Sequence, residues 1–186
     1  MHYEETLLKN IDMLFLQGPH KIWKLITSGD NFLPPLGQLS VAAFLREKGF
    51  SVKAIDCCVY QWGFKTTEAL LRKIDAPVIG ISGPITWGEE NLRLCRLIKS
   101  INPDCITIYG GPFVTLVPDR VIFPGSPIDF VVYGEGEITM FELLKELKKP
   151  KTQQDFSQIR GLVYLKNGHL FYTQPRSLIE DRKSVV

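Results

Sequence analysis

The chain has 186 residues, 45% of them hydrophobic and 23% charged, with a formal net charge of +2 at pH 7. That is enough for one core-bearing domain plus an appendage and short for two full domains, and the near-neutral balance gives no electrostatic case for a nucleic acid or an anionic membrane as partner. No run reaches the roughly 20 apolar residues of a membrane span, and "MHYEETLLKN" carries acids where a secretory signal has a basic start and an apolar stretch, so the expected location is the cytoplasm.

In chain order, short β-prone runs alternate with helical patterns. The runs at 12–17 (DMLFLQ), 51–56 (SVKAID), 77–82 (PVIGIS), 105–110 (CITIYG) and 129–134 (DFVVYG) read as five strands. All but the second are nearly continuous in apolar residues, as expected of strands covered on both faces of a parallel sheet. The second is half polar and fits an edge. Between them, "GQLSVAAFLREKG" sets Leu39, Ala42, Ala43 and Leu45 near one another before the stop at Gly49. "EENLRLCRLIKSI" repeats the period with Leu94, Leu97, Ile98 and Ile101, and "EITMFELLKELKK" with Ile138, Phe141, Leu144 and Leu147; "TTEALLRKI" is a weaker helix. The alternation predicts an α/β fold with a doubly wound, five-stranded parallel sheet over residues 1–149. From 150 to 186 the character changes: a polar linker leads to two β-prone runs joined by Asn167-Gly168, a strong hairpin signal, so a C-terminal β-hairpin extension is expected there. The four cysteines, Cys57, Cys58, Cys95 and Cys105, form neither a C-x-x-C pair nor a disulfide framework and read as buried, reduced thiols.

In open α/β sheets, ligands sit beyond the carboxyl ends of the strands. The first strand is followed by Gly18-Pro19-His20 and a long loop holding Trp23 and Phe32. The third ends in Ser82 and is followed by Gly83-Pro84-Ile85-Thr86-Trp87, the fourth runs into Gly110-Gly111-Pro112, and the fifth into Gly134-Glu135-Gly136-Glu137. A single glycine after a strand is routine turn chemistry. Several such loops on one edge, one with paired glycines, favour a bound molecule approached closely by backbone. No G-x-G-x-x-G follows the first strand and no G-x-x-x-x-G-K-[ST] occurs, which excludes the usual nucleotide cradles. Glu135 and Glu137 stand where a phosphate cluster needs amides or cations, although at a helix start Glu137 also suits the macrodipole. The acidic cluster of a phospho-acceptor domain is absent. The ligand expected is large, mostly uncharged at its rim and rich in amides.

The ordered series PPLG (34–37), VIGIS with a loop ending in Thr86, NPD before IYGGP, IDFVVYGEGE, GLVY and the closing PRSLIED resembles the N-terminal cobalamin-binding domain of cobalamin-dependent radical S-adenosylmethionine enzymes, over nearly the whole chain. The resemblance implies a flavodoxin-like fold with cobalamin across the carboxyl edge of the sheet. The corrin would rest on the loops after the first, third and fifth strands, involving Gly18, Pro19, Trp23, Ser82, Gly83, Thr86, Trp87, Gly134, Glu135 and Gly136. The nucleotide tail would pass the fourth strand over Gly110, Gly111 and Pro112. The D-x-H-x-x-G cobalt-ligating motif of related domains is absent; His20 lies in the corresponding loop without its flanking Asp and Gly, so the resemblance implies base-off, His-off cobalamin with no protein metal ligand. The intact enzymes bind S-adenosylmethionine and a [4Fe-4S] cluster in a barrel whose C-x-x-x-C-x-x-C motif does not occur in this chain, so residues 150–186 are expected to lead towards such a barrel and the fragment alone to bind without turnover. Parent reactions would be methyl transfer or a radical cyclisation. A stand-alone corrinoid carrier, or a degenerate interaction domain that no longer binds cofactor, are the competing expectations.

Overall fold

The computed structural model describes residues 9–19 and 34–177. Among these residues seven strands form one sheet: β1 (Met13–Gln17), β2 (Val52–Asp56), β3 (Val78–Ser82), β4 (Ile106–Gly110), β5 (Phe130–Val132), β6 (Leu162–Lys166) and β7 (His169–Tyr172). Their spatial order is β2-β1-β3-β4-β5-β6-β7. The first five are parallel in the doubly wound order, with half-polar β2 at the edge, and the topological switch falls between β1 and β3, where Phe15 registers with Gly80.

The hairpin corrects the five-stranded expectation. β6 and β7 do not stand apart from the sheet. β6 pairs antiparallel with β5, Phe130 against Tyr164 and Val132 against Leu162, and β7 extends the sheet by one more strand. The physical reason is in the sequence: Leu162, Val163 and Tyr164 are apolar on successive positions and buried on both faces, which an isolated ribbon cannot provide. The Asn167-Gly168 turn has both residues at positive φ, 52° and 78°, the twist a two-residue hairpin requires.

Among the described residues, five α-helices cover the sheet: α1 (Leu36–Glu47), α2 (Phe64–Leu71), α3 (Gly88–Ile101), the short α4 (Pro112–Leu116) and α5 (Glu137–Leu147). Strand side chains alternate between two cores. Leu14, Leu16, Ile79, Ile81, Tyr109 and Val131 pack on the side of α2 and α3. Met13, Phe15, Ile108, Phe130 and Val132 pack on the side of α1 and α5. The face of α1 differs from the expected one: Leu39 and Ala43 are exposed, whereas Gln38, Val41, Ala42 and Leu45 form the buried stripe. Their spacing of three and four residues is the true helical seam. All four cysteines are buried and free.

Candidate functional site

A cleft of about 710 Å³ opens at the carboxyl edge and runs down the sheet face between α1 and α5, within the size range of small-molecule sites. Its floor is apolar and comes from the inward side chains of three central strands: Met13 and Phe15 of β1, Ile108 of β4 and Val132 of β5, with Met140 of α5 on the wall. Gly80 lies in the middle of this floor. A Cβ there would fall 2.5 Å from Met13 Cε and 3.0 Å from Phe15 Cε1, so only glycine lets both side chains lie across the switch point and leaves room above them.

The rim is made of the post-strand loops. Ser82 and Gly83 end β3, and a side chain on Gly83 would meet Trp87 at 2.8 Å and the Asn91 amide at 3.0 Å, so the loop rests directly on those two residues. Asn91 in turn donates a 2.8 Å hydrogen bond to the Tyr109 hydroxyl in the fully buried layer beneath. Burial pushes the Tyr109 hydroxyl up to about 12. Gly111 adopts φ 105°, and a Cβ on it would collide with Ser82 Oγ. Gly110 differs: its Cβ would meet only Val132, at 3.7 Å from O and 3.9 Å from Cβ, both ordinary contacts. Thr115, unforeseen in the sequence, ties two loops together, donating to Gly111 O at 2.9 Å and accepting the Gly134 N–H at 3.1 Å.

Three buried polar side chains, Gln17, Gln38 and Glu137, border this otherwise apolar cleft. Glu137 is the first residue of α5 and is 5% exposed; its Oε1 accepts the Ser40 hydroxyl of α1 at 2.7 Å. Beside it, a Cβ on Gly136 would stand 3.2 Å from Val41, which shows how closely α1 and α5 approach there. Gln38 is 6% exposed and its Nε2 has no hydrogen-bond partner, an expensive state that a ligand acceptor would relieve.

Of the residues singled out in the sequence, the cleft brings together Ser82, Gly83, Trp87, Gly110, Gly111, Pro112, Gly134, Glu135 and Gly136. Gly18 and Pro19 are buried at the end of β1 and do not line it; Gly18 O accepts from the Cys58 thiol at 3.4 Å. Thr86 is exposed on a short 3₁₀ turn and is also outside the lining. His20 and Trp23 lie outside the described residues. Sequence reasoning missed Gly80, Gln38, Thr115 and the apolar floor. A glycine interrupting a strand of β-branched residues was the available signal for Gly80. Among the described residues there is no cluster of three His, Cys, Asp or Glu side chains able to hold a metal ion. No helix among them is long and apolar enough to cross a membrane.

Residues 22–144 match the B12 binding domain family. An uncharacterized methyltransferase of Pyrococcus horikoshii is 32% identical over 148 residues, 80% of this chain and 31% of that protein. The anaerobic magnesium-protoporphyrin IX monomethyl ester cyclase of a Synechocystis species is 29% identical over 154 residues, 80% of this chain and 30% of its own length. The chain thus spans about a third of the length of these relatives. Among solved structures, the radical S-adenosylmethionine methyltransferase TsrM of Kitasatospora setae, with cobalamin and a [4Fe-4S] cluster bound, superposes with a TM-score of 0.70 at 18% identity, over 92% of this chain and 30% of that one, and shares its fold.

Proposed function

This chain belongs to the B12-binding domain family, and on that premise we propose that it is the cobalamin-binding module of a radical S-adenosylmethionine enzyme. The observation that carries the reading is the cleft at the β1–β3 switch point, kept open by Gly80 and rimmed by glycine-bearing loops. Its chemistry suits the cofactor. An apolar floor takes a flat heterocyclic base, backbone and Glu135 at the rim suit corrin amides, and the unpartnered donor of Gln38 has an acceptor to find.

In this reading Ser82–Gly83, Gly110–Gly111–Pro112 and Gly134–Glu135–Gly136 would hold the corrin, with Trp87 supporting the β3 loop. The cleft walls of α1 and α5 would hold the nucleotide tail, further across the sheet than a path past β4 alone. When bound, the cobalt supplies one-carbon or radical chemistry that no side chain of this chain can perform. The chain's own residues bind and orient the cofactor and exclude water from the face they cover.

The remaining two thirds of such a protein would supply a barrel with S-adenosylmethionine and a [4Fe-4S] cluster, and the segment from 150 onward leads to it. Leu36, Ile85 and Leu116 stand 67–81% exposed near the carboxyl edge, an apolar fringe suited to contact with that barrel. Methyl transfer or radical cyclisation is the reaction class proposed for the whole protein, working in the cytoplasm. The test is retention of hydroxocobalamin: after incubation and desalting, corrin absorbance should remain with the protein in near-stoichiometric amount. Corrin bands that run entirely with the small-molecule fraction would refute the reading.

A further inference from the structure

The loop that joins β5 to α5 is held at both ends by the stretch of chain that leaves β7. Tyr133, just before the loop, donates its hydroxyl to Thr173 O at 2.6 Å. Thr139, buried in the first turn of α5 just after it, accepts Arg176 Nε at 2.9 Å. Between these two anchors lie Gly134, Glu135 and Gly136, which rim the cleft. Arg176 is the arginine of the PRSLIED run, and its side chain is only 13% exposed. Besides Thr139 it engages the Glu142 carboxylate and, at 3.3 Å, Arg160 O, both through Nη2. The Thr139 hydroxyl has one proton and two carbonyls within reach, Arg160 O at 2.9 Å and Glu135 O at 3.4 Å. A guanidinium that also serves Arg160 O leaves that proton able to turn to Glu135 O, on the rim. Gly161 makes the crossing possible: it has φ 81°, and a Cβ there would stand 3.0 Å from Thr139 Oγ1.

Resting on the cofactor reading above, we propose that Arg176 is a positioning residue: it latches the segment after β7 onto α5 and so sets the Gly134–Gly136 rim in the shape that receives the corrinoid. A planar fork suits the task, because it reaches a hydroxyl, a carboxylate and a carbonyl at once, which an ammonium on a flexible stem does not. Coupling of this kind is reciprocal. Corrinoid on the rim tightens the latch, and an open latch weakens the corrinoid. The path by which the chain leaves the sheet thus responds to whether the cleft is filled.

Trypsin cleaves after arginine, so the Arg176–Ser177 bond reports on its own latch. On the 186-residue chain, mass spectrometry follows cleavage at that bond with and without hydroxocobalamin, and absorbance titration gives the affinity. Saturating hydroxocobalamin should slow this cleavage about fivefold, the lower end of ordinary coupling between sites. A purely structural arginine would leave the rate indifferent to the cofactor. Glu142→Gln, at a side chain 40% exposed, loosens the latch without touching the fold's interior and leaves Arg176 cleavable. It should speed cleavage of the cofactor-free chain and weaken hydroxocobalamin by about the same factor. Arg176→Lys keeps the ion pair with Glu142 but cannot also hold Thr139 and Arg160 O, so it should bind as weakly as Arg176→Ala. Cleavage indifferent to hydroxocobalamin in a chain that binds it, or wild-type affinity in both Glu142→Gln and Arg176→Ala, would overturn the latch. A wild-type chain that binds no hydroxocobalamin would instead sink the cofactor reading, and the latch with it.

Discussion

Ser40 and Glu137, 97 residues apart in the chain, are joined by a 2.7 Å hydrogen bond that locks the first turns of α1 and α5 together at the mouth of the cleft. Neither helix reaches this geometry through a cap, since neither has a side-chain cap hydrogen bond. The spacing of the cleft walls therefore rests on this polar link together with the apolar packing of α1 on α5, which includes the edge-on Phe44–Phe141 ring pair. Ser40→Ala leaves the buried Glu137 carboxylate without this donor and should cost about 1.5–3 kcal/mol, the range for hydrogen bonds to charged groups. Glu137→Gln keeps an acceptor and removes the charge, so its cost should be smaller. Urea denaturation midpoints check both; equal midpoints for wild type and Ser40→Ala would show that the link does not hold the helices.

Gly80 should separate stability from binding. A valine there must displace the end of Met13, a flexible side chain, and crowd the Phe15 ring. The expected cost is about 1–3 kcal/mol, typical of overpacking in a core that can still adjust. The displaced atoms move into the cleft floor, so retained hydroxocobalamin should fall at least tenfold while the far-ultraviolet circular dichroism stays native. Full retention by a folded Gly80→Val variant would mean that the cofactor does not use this floor.

The adjacent Gly110 and Gly111 look equivalent in the sequence and should behave oppositely. Gly111 has φ 105° and ψ −179°, a region nearly closed to other residues, and is pressed against Ser82. Gly111→Ala should lose about 1–3 kcal/mol whether or not cofactor is present. Gly110 has no positive φ, and its Cβ would make an ordinary contact, so Gly110→Ala should leave apo stability within about 0.5 kcal/mol. Only at Gly110 does a loss of corrin retention report on the ligand. Thermal unfolding without cofactor, followed by retention of hydroxocobalamin, tests both halves.

The parallel core was legible because β1, β3, β4 and β5 are buried on both faces and thus read as apolar runs, and because the Asn-Gly turn has one dominant solution. The hairpin's place in the sheet was not legible, because strand runs carry no record of their partner; β6 joins β5 through long-range pairing alone. The rim of the site could be read from glycines that punctuate strand ends. Its floor could not, since Gly80 sits inside an apolar run and its partners Met13 and Phe15 are distant in sequence. Gln38 and Glu137 were hidden by the rule that buried helix faces are apolar, a rule broken at both positions bordering the cleft. For Gly111 the sequence raised the right question, but its immediate steric cause is Ser82 of the protein itself.

Alkaline pH should destabilise the fold through groups that burial keeps protonated. The Tyr109 hydroxyl is pushed up to about 12, and the Cys57 and Cys105 thiols to about 12 and 11, in each case chiefly by desolvation. The unfolded chain releases these protons near 9 for the thiols and 10 for the tyrosine, while the folded chain holds them longer. The folded state thus binds more protons across this window, so the stability they confer is complete below about pH 9 and is lost as pH rises towards 12. Tyr109→Phe isolates one contribution. At pH 7 the variant should be less stable by about 1–3 kcal/mol, because Asn91 loses the partner of its Nδ2 while its Oδ1 already has none. Between pH 10 and 12 the wild type should lose up to about 2–3 kcal/mol that the variant does not, so the two denaturation curves should converge. A gap that stays constant from pH 7 to 12 would show that Tyr109 does not hold its proton in the folded state.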